Sequence, residues 1–305
     1  MRTPPPATTK PVIANEDTPR GLIFALSAYV LWGFLPLYLK ALTHVPVLEV
    51  IAHRVIWSVP IAGIVLIAMG RTGDIGPALR NPRMLIMACV TAVLVSINWG
   101  VYIFAIVTDR AADGALGYYI NPLFSMFLGA VLLGERMTRP QLVAVGLAAL
   151  AVVILFLDAS RPPWIPLGLT VSWGLYAYFK KSLPVGPNQG FLLEVLILSV
   201  PALAFLGWLS LQGQSSFLLD GTTTLLLIGC GLITAVPLLF YANGAKLTKL
   251  STIAILQYLT PTMILAQAVF VFGEELDRAR MIAFPLIWAA LLIYTVSLVR
   301  GMRKA

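Results

Sequence analysis

Charged residues are scarce in this chain of 305 residues, at 11% of the total, whereas hydrophobic residues make up 59%. A soluble domain carries roughly 25% charged residues, so the composition excludes an ordinary water-soluble protein. The only two histidines, His44 and His53, form no His-Glu-x-x-His pattern, and paired aspartates are missing, which argues against metal chemistry. A phosphate-binding glycine loop is also missing, so the sequence predicts no ATP site, no cofactor and no metal.

Cysteine is equally rare. Cys89 and Cys230 both fall in apolar stretches, so no disulfide framework is expected. Residues 1–19 contain five prolines and no apolar core. They therefore cannot be a cleavable signal peptide, and we expect a disordered cytoplasmic tail there.

Ten long apolar runs occupy most of the chain. A helix that spans a membrane needs about 20 such residues, and runs without polar alternation exclude a β-barrel. Only the second run carries ionisable side chains, Glu49, His53 and Arg54. The sequence thus predicts an all-α integral membrane protein with ten transmembrane helices. The runs are residues 21–39, 47–69, 84–108, 114–134, 140–157, 162–179, 195–219, 222–245, 250–273 and 281–299.

The positive charges lie mostly on one side of this predicted topology. With the N-terminus inside, 15 of the 21 lysines and arginines fall on the inner side and five on the outer side, while Arg54 lies within a span. The positive-inside rule then predicts a multi-pass protein of the cell inner membrane with both termini in the cytoplasm. The net charge of +8 reflects topology, so no nucleic-acid partner is expected.

One string occurs twice. Residues 115–135 read ALGYYINPLFSMFLGAVLLGE, and residues 254–274 read AILQYLTPTMILAQAVFVFGE. A doubled, proline-interrupted apolar segment in corresponding halves is typical of transporters built from internal repeats. At an offset of 139 the copies share Ala115/Ala254, Tyr119/Tyr258, Pro122/Pro261, Gly134/Gly273 and Glu135/Glu274.

The repeat extends into other spans. Trp32-Gly33 matches Trp173-Gly174, residues 58–60 match residues 199–201, and Tyr102 matches Tyr241. Because five spans is an odd number, the two halves must insert with opposite orientations. We therefore expect two inverted five-helix repeats, residues 20–158 and 159–300, with a tail at 301–305. Inverted repeats place the binding site between the halves near the midplane.

Six strings resemble the RarD family, within the EamA-type branch of the drug/metabolite transporter superfamily. They are SAYVLWGFLPLYLK (27–40), EVIAHRVIWS (49–58), NWGVYIFA (98–105), LGYYINPL (116–123), TAVPLLF (234–240) and LQYLTPT (256–262). The resemblance implies a permease of the kind associated with chloramphenicol sensitivity. One departure is FAIVT at residues 104–108, where the family commonly has Trp-Ala-Val-Asn-Asn. If those side chains contact substrate in relatives, the preference here differs.

The candidate substrate-binding side chains are aromatic rings and amides that share helix faces near the repeated prolines. Such groups suit an amphipathic or aromatic solute, through stacking and hydrogen bonding. Interfacial anchoring of the rings and helix–helix bonding of the amides are the alternatives. The segments 118–122 and 257–261 are expected to face each other across a central cavity. The candidates are Trp32, Asn98, Tyr102, Tyr118, Asn121, Trp173, Tyr176, Gln257 and Tyr258.

Charged candidates concentrate in the second span. Glu49 and His53 are four residues apart and close enough to pair, so His53 is a candidate for proton coupling. Arg54 is a candidate for holding a substrate carboxylate. The alternatives are structural bonds for Glu49 and His53 and a paired or snorkelling Arg54. Glu194 is expected to cap the seventh span.

These features favour a secondary transporter that moves a small metabolite or drug by alternating access. A facilitator of amino acids or related metabolites without proton coupling is the alternative, and a membrane-embedded lipid-modifying enzyme is a remote one. The expected partners are a small-molecule substrate and the lipid bilayer, with the protein a monomer or homodimer.

Overall fold

The computed structural model describes residues 16–107, 111–158, 163–183, 186–271 and 278–302. Every regular element in these ranges is helical. A short 3₁₀ turn, Thr72–Asp74, precedes α3. The α-helices are α1 Pro19–Lys40, α2 Val47–Ala68, α3 Ile75–Arg80, α4 Pro82–Val107, α5 Ala111–Leu132, α6 Arg139–Leu157, α7 Trp164–Ser182, α8 Pro187–Leu211, α9 Gly221–Leu247, α10 Leu250–Leu256, α11 Leu259–Phe270 and α12 Arg278–Met302.

Seven of the described helices are long and apolar enough to cross a membrane, namely α1, α2, α4, α6, α8, α9 and α12. Residues Leu116–Leu132 of α5 form a shorter apolar helix. The large apolar side chains that remain exposed on these helices, such as Ile67 of α2 and Leu211 of α8, suit contact with lipid. The chain is therefore an all-helical, multi-pass membrane protein.

The predicted ninth span is two helices rather than one. α10 ends at Leu256, and α11 begins at Leu259. Pro261 has no N–H to donate to the carbonyl of Gln257, which instead accepts from the amide of Thr260 at 3.1 Å. The equivalent Pro122 lies inside the continuous helix α5. The same proline thus breaks one copy of the doubled string and not the other.

The described part of the predicted N-terminal tail, residues 16–19, is attached to the helical body. Thr18 donates its hydroxyl to the carbonyl of Leu247 at 2.9 Å and accepts from the amide of Gly21 at 3.0 Å, so it caps α1. Asp17 accepts from the amide of Lys249 at 3.0 Å. Residues 1–15 and 303–305 of the predicted tails, and Gly273 and Glu274 of the second string, lie outside the described residues.

Helix α9 is the most enclosed of these seven long apolar helices and packs against both α1 and α2. Glycines permit the close approach: a Cβ at Gly231 would lie 2.4 Å from the backbone of Trp57, and one at Gly244 would lie 3.0 Å from the backbone of Ala25. Small residues at such interfaces let membrane helices pack backbone to backbone. The other main helix pairs are α2–α8, α4–α7, α5–α7, α5–α10, α1–α11 and α6–α12.

Candidate functional site

Three layers of mostly polar and aromatic side chains lie along one face of α9. Thr234, Tyr241 and Ala245 are spaced seven and four residues apart, so they share a face of this helix. The arginine layer consists of Arg54, Trp99, Tyr102, Tyr118 and Thr234. The aromatic layer consists of Tyr29, Trp32, Trp173, Tyr176 and Tyr241. The lysine layer consists of Lys180, Lys181, Glu194, Ala245 and Lys246.

The arginine layer joins α2, α4, α5 and α9. Arg54 donates from Nε to the hydroxyl of Thr234 at 2.9 Å, and its guanidinium carbon lies 5.3 Å from the centre of the Trp99 ring. That position fits a cation–π contact. The rings of Tyr102 and Tyr118 are 5.7 Å apart, and their phenol groups lie within electrostatic reach of the guanidinium. Tyr102 is 39% exposed and Arg54 is half-buried, so this layer is less enclosed than the other two.

The aromatic layer is a closed cluster of five rings. Trp32 and Trp173 meet edge to face with ring centres 5.7 Å apart, and Tyr241 lies 5.6 Å and 5.7 Å from them. Tyr176 lies 5.2 Å from Trp173, and Tyr29 lies 5.8 Å from Trp32. The indole N–H of Trp173 is buried and has no hydrogen-bond partner among the described residues. A buried donor of this kind costs free energy unless a ligand or water accepts from it.

A buried ion pair dominates the lysine layer. The ammonium of Lys180 lies 2.7 Å from Oε2 of Glu194, and both side chains are almost completely buried. The hydroxyl of Tyr176 donates to the same oxygen at 3.3 Å, which links this layer to the aromatic layer. The other carboxylate oxygen of Glu194 is buried without a partner in the described structure.

Two further lysines close the ends of α7 and α9. Lys181 donates to the carbonyls of Ala245 and Thr248, and Lys246 donates to the carbonyls of Lys181 and Leu183. Carbonyls at a helix C-terminus lack intrahelical partners and carry partial negative charge, so lysine ammonium groups stabilise them. The lysine layer is therefore sealed, in contrast to the arginine layer.

Five of the predicted substrate-binding side chains belong to these layers. Trp32, Trp173 and Tyr176 lie in the aromatic layer, and Tyr102 and Tyr118 lie in the arginine layer. The structure thus brings together the rings whose spacing on separate helices predicted a shared site. Their role in binding stays a prediction.

The predicted amides occupy other positions. Asn98 is buried and donates to the carbonyl of Leu169 and the hydroxyl of Ser172, both at 3.1 Å, which ties α4 to α7. Asn121 accepts from the hydroxyl of Ser125 at 3.0 Å, while its Nδ2 is buried without a partner among the described residues. The contacts of Asn98 match the helix–helix alternative, whereas the side-chain bond of Asn121 seen among the described residues stays within α5.

The two predicted segments that flank the prolines do meet. The hydroxyl of Tyr258, which is fully buried, donates to the carbonyl of Tyr119 at 2.9 Å. Gln257 caps the end of α10, and its side chain is 9% exposed. At this point the segments are in direct contact rather than separated by a cavity.

Glu49 and His53 lie within electrostatic reach of each other, but they form no direct hydrogen bond or ion pair in the described structure. Glu49 accepts from the hydroxyl of Ser215 at 2.8 Å and from the amide of Ser216 at 2.7 Å. His53 instead accepts from the indole N–H of Trp57 at 3.2 Å. The α8–α9 connection binds Oε1 of Glu49, while Oε2 is buried without a partner among the described residues. The second ring nitrogen of His53 is buried without a partner among the described residues.

The expected capping role of Glu194 is wrong. α8 begins at Pro187, so Glu194 lies two turns inside the helix and pairs with Lys180. The apolar run starts only at residue 195, which displaced the predicted helix start. Glu194 aligns with His53 at an offset of 141, and this alignment is the sequence signal that could have identified Glu194 as part of the candidate site.

Glu135 is a further residue whose role the sequence did not indicate. Its carboxylate accepts from the amides of Leu250 and Ser251 at 2.5 Å and 2.8 Å, and from the Ser251 hydroxyl at 2.7 Å. Gly134 has a φ of +65°, which turns the chain after α5 and brings Glu135 to the start of α10. The Gly-Glu that ends the first string thus joins the two halves.

Comparison with known proteins agrees with this architecture. Residues 19–157 and 164–296 each match the EamA-like transporter family. These matches, together with the apolar helices, identify a membrane transporter. The chain belongs to the EamA-like transporter family, in its RarD group.

Several proteins illustrate this relationship. Protein RarD of Streptomyces exfoliatus is 40% identical over 96% of this chain and 93% of its own length. Protein RarD of Escherichia coli (strain K12) is 34% identical over 95% of this chain and 98% of its own. A crystal structure of a protein that is 20% identical superposes with a TM-score of 0.68, over 91% of this chain and 98% of that one, which supports the fold alone.

Proposed function

We propose that the chain consists of two inverted five-helix repeats that enclose a transport pathway. The first support is that equivalent residues contact each other. Trp32 and Trp173 are separated by the repeat offset of 141, and their rings meet edge to face with centres 5.7 Å apart. Tyr119 and Tyr258 are separated by the offset of 139 and share a hydrogen bond of 2.9 Å. Residues related by a two-fold axis touch each other only when they lie close to that axis.

The second support is a pair of equivalent contacts on either side of the axis. A Cβ at Gly33 would lie 2.6 Å from the side chain of Met263, and one at Gly174 would lie 2.4 Å from that of Phe124. Gly33 and Gly174 differ by 141, and Phe124 and Met263 differ by 139. Each contact is thus the counterpart of the other, as isologous packing requires.

Helix packing follows the same rule. The pair α1–α9 has the counterpart α4–α7, and α5–α7 has the counterpart α1–α11. In three further pairs, the two helices occupy equivalent positions in the two halves, so the repeat relates each pair to itself. These pairs are α2–α8, α5–α10 and α6–α12. An odd number of five spans in each half makes such a relationship an inversion across the membrane, which is the architecture used for alternating access.

We further propose secondary transport of a small amphipathic solute, a metabolite or a drug. The observation that carries this proposal is the difference between the two ends of the layered interior. The arginine layer is the less enclosed of the two, with Tyr102 39% exposed, whereas the lysine layer is buried, with Lys180 2% exposed. Alternating access requires a state that is open at one end and closed at the other. The relation to chloramphenicol implied by the family resemblance stays a prediction.

The positive-inside distribution supports cytoplasmic termini, and we propose the inner membrane as the location. In this orientation the arginine layer lies on the outer side of the lysine layer. A small-molecule partner and a monomeric or homodimeric state belong to the same proposal. The test is an untargeted comparison of the metabolites released by cells that lack the protein and cells that overproduce it. A class of solutes whose release follows expression supports transport, and identical profiles contradict it. Overproduction of the Trp173→Ala variant is the control, because it removes a ring from the pathway.

Proton coupling and facilitated diffusion remain separate hypotheses. Coupling predicts that solute flux in proteoliposomes changes the lumenal pH and that His53→Ala abolishes the change. Unchanged proton flux in that variant removes His53 from the mechanism, and Glu194→Gln then tests the second buried group. Solute flux without proton movement in the wild-type protein supports the facilitator.

A further inference from the structure

Arg54 reaches the middle of the helical body. Its partner Thr234 is the central residue of α9, a helix of 27 residues that begins at Gly221. At 1.5 Å per residue, Thr234 lies about 20 Å from either end of the helix. A guanidinium in this position cannot also reach lipid headgroups, so the snorkelling alternative does not fit the geometry.

The positive charge of Arg54 is not balanced by an acidic side chain in the described part of the chain. The groups within electrostatic reach are the thiol of Cys230 and the phenols of Tyr102 and Tyr118, all neutral at pH 7. Glu49, the acidic residue on the same helix, is bound to the α8–α9 connection. Arginine keeps its proton, and an unpaired charge inside a membrane protein is costly. Such a charge is a candidate site for an anionic ligand.

The donors of Arg54 suit a carboxylate. The Nε–H is bonded to Thr234, whereas the terminal N–H groups have no hydrogen-bond partner among the described residues and can donate to a ligand. A guanidinium binds a carboxylate with two parallel hydrogen bonds. The rings of Trp99, Tyr102 and Tyr118 surround the same position and suit an apolar or aromatic body attached to the carboxylate.

The charge count favours a monoanion. One guanidinium neutralises one carboxylate, whereas a phosphate dianion would leave a net negative charge in a region of low dielectric constant. We propose that Arg54 binds the carboxylate of a solute whose apolar or aromatic body contacts Trp99, Tyr102 and Tyr118. This inference rests on the proposed transport function, for which it specifies the substrate class as amphipathic monocarboxylates.

The test compares phenylacetate with phenylacetamide, which has nearly the same shape and no charge. Binding to the purified full-length protein in detergent is measured by calorimetry and by the shift in thermal unfolding. We expect phenylacetate to bind at least tenfold more tightly than phenylacetamide, and Arg54→Gln to remove this preference. Arg20→Gln is the matched control, because Arg20 also lies over an aromatic ring, at 5.6 Å from Phe24, but is exposed at the end of α1.

Equal binding of the two probes to the wild-type protein overturns the proposal, as does a preference that persists in Arg54→Gln. Tighter binding of phenyl phosphate than of phenylacetate overturns the monoanion class. If Arg54→Gln elutes as an aggregate, Arg54→Lys replaces it. Lysine keeps the charge and loses the two-pronged geometry, so the preference should remain while affinity falls at least threefold.

A transport measurement distinguishes failure of the carboxylate site from failure of the proposed transport function. Radiolabelled phenylacetate is followed into proteoliposomes that contain the wild-type protein. Arg54-dependent binding without flux of this probe, and with no solute class identified in the metabolite comparison, overturns transport and leaves the carboxylate site. Flux of both phenylacetate and phenylacetamide at equal rates supports transport and overturns the carboxylate site.

Discussion

Tyr258 donates its hydroxyl to the backbone carbonyl of Tyr119 at 2.9 Å, and these two tyrosines occupy the same position in the two copies of the doubled string. The bond joins α5 to the short connection between α10 and α11. In this bond Tyr258 donates and Tyr119 accepts, so the local arrangement is not fully symmetric. The difference coincides with the break of the second copy at Gln257, next to Tyr258.

Replacement of Tyr258 by phenylalanine should destabilise the protein by about 1 kcal/mol, because a buried hydrogen bond between the halves is lost. Thermal unfolding in detergent measures the change. Tyr178→Phe is the control: Tyr178 is on α7, only partly buried, and no hydrogen bond of its hydroxyl is seen in the described structure. An equal effect of the two substitutions would argue against a special role for the Tyr258–Tyr119 bond.

The Gly231→Ala substitution should destabilise the contact between α2 and α9. Its new Cβ would lie 2.4 Å from the backbone of Trp57, and backbone cannot move aside as a flexible side chain can. Overpacking of this kind costs about 1–3 kcal/mol. Gly207→Ala in α8 meets no atom within 4 Å and should be neutral or slightly stabilising in the same unfolding assay. A neutral Gly231→Ala would contradict the close packing.

Lys180 and Glu194 should show strong energetic coupling. Lys180→Met or Glu194→Gln alone leaves a buried charge unpaired, which costs about 3–5 kcal/mol. The double variant Lys180→Met with Glu194→Gln removes both charges and should recover most of the stability of the wild-type protein. The measurement is a double-mutant cycle by unfolding in detergent. Additive losses would show that the two side chains do not act as a pair.

The sequence predicted the parts of the site that depend on local periodicity and on the repeat. Trp32 and Trp173 follow from the matched Trp-Gly pairs, and Arg54 follows from being a charge in an apolar run. The ion pair of Lys180 with Glu194 could not be predicted in the same way. It depends on how α7 and α8 pack after their connection, and the apolar run placed the start of α8 too late.

The errors also have physical causes. The spacing of Glu49 and His53 fits a pair on one helix face, but amides of the α8–α9 connection, more than 160 residues away, compete for the carboxylate. Pro122 and Pro261 are equivalent in sequence, yet only the second interrupts a helix. Local sequence fixes the missing N–H, whereas the surrounding packing decides whether the helix continues.

The central claim is that two halves with opposite orientations enclose the pathway. It is tested by labelling single cysteines in intact cells with a membrane-impermeant maleimide, after Cys89→Ser and Cys230→Ala. Thr43→Cys lies in the α1–α2 connection, and Gly186→Cys lies in the corresponding α7–α8 connection. The account predicts that Thr43→Cys reacts from outside and that Gly186→Cys reacts only after the cells are permeabilised. Reaction of both positions from the same side of the membrane would contradict it.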